Sequence, residues 1–166
     1  MAARELIESL RLMLQLYRQL LDLGKQKKDQ VIGNRLNDLT DTLAKETRIL
    51  KQLTEAEKAR VQAVLTFQRS LGLKENPQAK LADLAEMIVG RSEKREALEL
   101  LDEIGRVAAE LRELNERNQA LVRQALEMVE FTLDLLAGPP EEEAVYQAPT
   151  QKPAEPKRIS RFDAKA

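Results

Sequence analysis

The chain predicts an all-α fold: an elongated antiparallel bundle of three long helices, at about 3–32, 34–71 and 92–137, with a short extra helix at about 79–89 and a disordered C-terminal tail. Two observations carry this. The dominant residue types are Leu, Ala, Glu, Lys, Arg and Gln, the strongest intrinsic helix formers, while aromatics make up only 3% of 166 residues. In three long windows the apolar residues also recur at the three-four spacing that keeps one side of a helix turned to a partner.

The first window places Leu6, Leu10, Met13, Tyr17, Leu20, Gly24 and Val31 on one stripe, with Ile7, Leu14 and Leu21 beside it. A doubled stripe suits a helix packed against two others. Arg4, Arg11, Arg18 and Lys25 repeat every seven residues, with Glu8 and Asp22 at helical-neighbour spacing. This reads as a solvated face of weak ion pairs in preference to a ligand-binding ridge. Gly33-Asn34 ends the helix, glycine suiting the left-handed C-terminal position and asparagine the next N-cap.

Leu36, Leu39, Leu43, Leu50 and Leu53 form the second stripe, whose phase slips at Ala56 before Val61, Val64, Leu65 and Leu71 resume it. Glu46 falls on that stripe, where an unpartnered carboxylate is costly. It is expected at a bundle edge, without a role as a site. Leu71 to Gln78, containing Gly72 and Pro77, connects the halves. Leu81, Leu84, Ala85, Ile88 and Val89 then predict a short helix covering the bundle end.

The third long helix is the longest uninterrupted pattern, with Ser92 as cap and Glu93 and Glu96 in the dipole-favoured first turn. Two apolar rows meet at Asn118, and the helix is too broadly apolar to stand alone. Gly138-Pro139-Pro140 stops it. The sequence thus divides into a helical domain, 1–138, and a proline-rich tail, 139–166, with too little apolar surface to offset ordering entropy. Within the tail, Val145-Tyr146 and Ile159 to Ala166 have the look of short recognition segments.

Composition excludes several kinds of function. Cysteine and histidine are both absent, which removes disulfides, thiolate nucleophiles, imidazole bases and the usual zinc ligands. No phosphate-binding loop, paired-carboxylate arrangement or metal-ligand spacing is present, so no enzyme and no cofactor is expected. The 27 basic residues balance 28 acidic ones, which argues against nucleic acid and anionic membrane surfaces. With Glu5 and Glu8 where a leader would be apolar, and no membrane-length apolar run, the protein reads as cytoplasmic and soluble.

The remaining specific feature is Leu114-Asn115-Glu116-Arg117-Asn118-Gln119-Ala120-Leu121. Asparagine on an apolar stripe costs stability and is usually compensated by a defined register or an interhelical hydrogen bond. Asn115 and Asn118 therefore either fix the pairing of the helices or polarise a groove that receives another chain. Leu-Asn-x-x-Asn-x-x-Leu in a long third helix, after two long helices and a short helical insert, resembles the FlgN family of bacterial flagellar export chaperones. The tail, with Tyr146 and the ending Arg-Phe-Asp-Ala-Lys-Ala, is similar to that family's tail pattern.

That resemblance implies a cytoplasmic, non-catalytic chaperone that binds hook-associated proteins of the hook-filament junction and delivers them to the flagellar type III export gate. It implies client contact at Asn115 and Asn118 and export-gate docking at Tyr146. The physical mode would be helix-in-groove. If the first two helices are too short to cover the third, geometry adds Leu111, Leu114, Leu121, Val122, Ala125 and Met128 as client contacts. Internal packing and a homodimer interface remain alternatives for these residues, and a self-associating coiled-coil scaffold is the alternative function.

Overall fold

The computed structural model describes residues 1–138 and contains four helices: α1 (Ala2–Ile32), α2 (Leu36–Ser70), α3 (Leu81–Glu86) and α4 (Arg91–Ala137). The three long windows and the short insert are all present, with no strand among the described residues. The tail expected at 139–166, with Tyr146, lies outside them. The chain divides into two units, Met1–Ala125 and Leu126–Ala166.

In the first unit, α1 is the helix on which the others are assembled. Its buried positions include Leu6, Leu10, Met13, Leu20 and Gly24 on the expected stripe, Ile7, Leu14 and Leu21 beside it, and Leu16 and Leu23 on a further row. Helix α2 runs antiparallel to α1. Ala63, Val64 and Phe67 pack on Leu6 and Ile7, Ala56 on Met13 and Leu16, and Glu46 meets Lys27. Helix α4 runs parallel to α1, since Ala97 joins Leu6 and Ile7 at one end while Asn118 meets Gly24 further along. Up-down-up connectivity requires this, because α2 returns the chain to the end where α1 began and α3 with its flanking turns keeps it there.

At that end four helices share one core. Leu84, Ala85 and Ile88, from α3 and its C-terminal turn, are buried with Leu6, Ile7, Ala63, Val64, Phe67 and Ala97. Helix α3 thus covers the bundle end as its spacing predicts, although Val89 of the expected set is 95% exposed. Position 89 lies past the helix, where the extended turn into α4 directs it outward.

The α2–α3 connection is tied down by a residue whose role its position does not advertise. Buried Gln68 donates from Nε2 to the carbonyl oxygen of Asn76 at 3.0 Å, and its Oε1 accepts from the Asn76 amide at 2.8 Å. One side-chain amide therefore satisfies both backbone groups of a loop residue. Gln68→Ala removes the acceptor of the Asn76 amide and one of two donors to its carbonyl, which keeps the Ala79 amide at 3.2 Å, and is expected to cost about 1 kcal/mol in urea unfolding; a change below about 0.3 kcal/mol would show the clip to be dispensable.

Three helix ends depart from expectation. Asn34, not Gly33, adopts positive φ (+52°), and Arg35 precedes α2 as its N-cap. Asparagine tolerates the left-handed region better than other non-glycine residues, so the reversal needs no glycine there. Helix α4 begins at Arg91, and the Gly90 carbonyl already accepts from the Lys94 amide at 2.8 Å, which leaves Ser92 inside the first turn and not as its cap. Gly138 takes φ +73° after α4, as a C-terminal glycine should.

Candidate functional site

Three of the four heptad-spaced cations of α1 face partners on α4. Arg11 bonds Glu96, Arg18 bonds Glu103, and Lys25 lies 4.0 Å from Glu110. Each pair spans 85 residues, so the rungs recur one heptad apart and specify a single parallel register. The groups are more than a third exposed, so their value lies in selecting the register more than in stability. Glu46 also has a partner: Lys27 Nζ lies 2.6 Å from Glu46 Oε2, with both side chains largely covered. Elsewhere on α2, a side-chain hydrogen bond from Arg60 holds the Glu57 carboxyl below its ordinary range. Neither pair adjoins a cluster of polar groups suited to chemistry, and among the described residues no acidic group of three or more is placed to hold a metal.

Gly24 and the Leu114–Asn118 segment form a close approach of α4 to α1. A Cβ on Gly24 would come within 2.8 Å of Leu114 Cδ2. The missing side chain lets Asn118 Nδ2 donate to the Gly24 carbonyl oxygen at 2.9 Å, and Asn118 is buried. Its Oδ1 is buried too, with no hydrogen-bond partner among the described residues. The amide therefore fixes where α4 lies along α1 at a cost in stability, as a polar residue in a coiled-coil seam does. Asn118→Leu, which removes the unpaired acceptor, is expected to hold or raise the urea midpoint. Asn118→Asp, which removes the donor and buries a charge, should lower stability by about 3 kcal/mol. A fall in both variants of equal size would show that the amide geometry is not the determinant.

The other sequence-predicted contacts are placed as follows. In the first unit, Leu111, Leu114, Asn115 and Leu121 are half-buried, while Val122 and Ala125 are exposed. Met128 belongs to the second unit and is exposed. Tyr146 lies outside the described residues.

The described part of the second unit, Leu126–Gly138, presents a surface broader than the sequence reading selected. Leu126, Met128, Val129, Phe131, Leu133, Leu135 and Leu136 are each 54–80% exposed, on helix throughout. Helical geometry sorts them into two rows: Leu126, Val129, Leu133 and Leu136 on one side, Met128, Phe131 and Leu135 on another. Thr132, whose hydroxyl donates to the Met128 carbonyl oxygen at 2.8 Å, separates them on one side. Glu127, Glu130 and Asp134 form a single acidic stripe on the other. Leu126, Val129, Phe131, Leu133, Leu135 and Leu136 were not selected as contacts: Val129, Leu135 and Leu136 lie on the two rows read from the sequence but beyond the last residue chosen, Met128, and the other three lie off both rows. The signal that finds them is that every position from 126 to 137 other than Thr132 and the three acids is apolar.

So much large apolar surface open to water marks an interaction site. No helix among the described residues is long and apolar enough to cross a membrane. A family model described as "FlgN protein" matches residues 1–154. A Bacillus subtilis (strain 168) protein, "Uncharacterized protein YvyG", is 29% identical over 168 residues, covering the full length of both chains. No solved structure matches significantly.

Proposed function

The chain belongs to the FlgN family of flagellar export chaperones, and from that premise we propose that it works in the cytoplasm on hook-associated proteins of the hook-filament junction. In this reading it binds a client helix through an apolar face, keeps the client unassembled, and delivers it to the flagellar type III export gate. The observation that carries the proposal is the run of seven large apolar side chains, each more than half exposed, between Leu126 and Leu136. An amphipathic client helix covering them would bury the apolar face by which the client otherwise self-associates. Within the first unit, exposed Val122 and Ala125 and half-buried Leu121 supply further client contacts. Leu114 and Asn118, which meet Gly24, hold the helix that presents them, and half-buried Leu111 and Asn115 are assigned to the client with them. Tyr146 is assigned to the export gate.

Light scattering of the full chain with a terminal fragment of a hook-associated protein tests this. A one-to-one complex is expected; a closed oligomer indifferent to the fragment overturns it. That second outcome belongs to the alternative, a self-associating scaffold. One feature favours it: Leu36, Leu43 and Leu50 recur at heptad spacing on α2 and are all exposed, each followed four residues later by a threonine bonded back to its carbonyl.

Deleting 139–166 separates folding from delivery. The thermal midpoint is expected to move by no more than about 2 °C, because among the described residues the core clusters are complete without the tail, and 139–166 offers few large apolar residues. Export of the client is expected to fall, and Tyr146→Ala should reproduce much of that fall with client binding intact.

A further inference from the structure

The apolar rows of Leu126–Ala137 are flanked by charge of one sign. Glu127, Glu130 and Asp134 stand at intervals of three and four, hence along one side of the helix, and the segment contains no lysine or arginine. Among the described residues none of the three carboxylates has a cation within ion-pair distance, whereas the first unit pairs its acids repeatedly: Glu96, Glu103 and Glu110 with α1, Glu113 with Arg117. An acidic edge beside an open apolar face selects among occupants. A second copy of this segment would set three carboxylates against three as its apolar rows met, and like charges so placed oppose association. A helix with cations along one flank of its apolar face meets no such penalty.

Building on the chaperone reading, we propose that the segment received by Leu126–Ala137 is an amphipathic client helix bearing lysine or arginine along one flank, seated against the Glu127, Glu130 and Asp134 stripe. Apolar burial supplies most of the affinity. The stripe sets the orientation of the bound helix and rejects helices with acidic flanks, including this one.

The test uses the full chain, two fluorescent helical peptides with identical apolar faces, one flanked by lysines and one by glutamates, and a terminal fragment of a hook-associated protein. The lysine peptide is expected to bind about tenfold more tightly than the glutamate peptide, the sum of three exposed charge contacts. In the triple variant E127Q/E130Q/D134N the preference should vanish, and in wild type it should shrink between about 0.05 and 0.5 M NaCl as screening shortens. All three positions are solvent-facing, and circular dichroism verifies that the variant stays folded. Equal peptide affinities, or a preference that survives the triple variant, overturn the proposal. So does a tenfold gain for the lysine peptide on deleting 139–166, which would make the chain's own tail the occupant. So does a homodimer dissolved by substitutions at Phe131 and Leu135. If the hook-associated fragment binds wild type and triple variant equally, the charge proposal fails while the chaperone reading stands. If the fragment does not bind at all, the chaperone reading fails and takes the proposal with it.

Discussion

Replacing Phe67 by alanine lowers the unfolding free energy by about 3–5 kcal/mol, the range for removing a buried aromatic ring from a packed core. The size follows from where the ring sits. Phe67 is 3% exposed in a cluster that takes Leu6 and Ile7 from α1, Ala63 and Val64 from α2, Leu84 and Ala85 from α3, Ile88 and Ala97. A cavity there is lined by four helices at once, so no single helix can shift to fill it without parting from the others. Helix α3, with six residues, is too short to persist alone. Amide exchange of Leu84 to Ile88 should therefore accelerate more than that of the α1–α2 contacts around Met13, Leu16 and Ala56. Urea unfolding gives the first quantity and residue-resolved hydrogen exchange the second. A loss below about 1.5 kcal/mol, with α3 protection intact, would mean that the end collapses freely around the missing ring.

The second large effect leaves stability alone. Phe131→Gln with Leu135→Gln replaces two exposed members of one row of the second unit, so the urea midpoint should stay within about 0.5 kcal/mol of wild type. Affinity for the hook-associated fragment should fall by about a hundredfold or more. Burying a large apolar side chain is worth about 1.5–3 kcal/mol, and two such anchors give at least 3 kcal/mol. Isothermal titration of the folded double variant measures the loss. A change of less than about threefold would place the client elsewhere.

The helices could be read from the chain because their determinants are local. Leucines at three-four spacing, the breaks at Gly33-Asn34 and Gly138-Pro139, and the strong helix formers between them act within a turn or two of where they lie. Even the short insert was legible, since Leu84, Ala85 and Ile88 repeat at helical spacing. Details of the ends were less so. The left-handed residue was expected at Gly33 and is Asn34, the α2 cap was expected at Asn34 and is Arg35, and the α4 cap was expected at Ser92, which lies inside the first turn, because neighbouring residues of similar tolerance compete for the same left-handed or capping position.

The candidate site was legible in part. Asn118 stands out in any reading of α4, but the same side chain suits a groove or a seam, and only the 2.9 Å bond to Gly24 distinguishes them. Gly24 itself looked like a weak member of the α1 stripe, and its use became visible once Leu114 was found against it. The breadth of the Leu126–Leu136 surface was present in the residue types, yet which of those side chains are exposed depends on what packs on them. Gln68 carried no signal, since a glutamine near a helix end is ordinary until a loop eight residues away returns to it.

By itself, then, the sequence determined the all-α class, the count and extent of the helices, the absence of thiol and imidazole chemistry, and the family pattern around Leu114–Leu121. Tertiary structure alone decided the register of α4 along α1, that Arg11, Arg18 and Lys25 find Glu96, Glu103 and Glu110 across that pair, and that Glu46 is matched by Lys27. The reason is physical. Helical periodicity is set by hydrogen bonds four residues apart, so a sequence window contains it. The offset between two helices is set by contacts between residues some ninety positions apart, here a glycine that admits a leucine and an asparagine that reaches the carbonyl behind it.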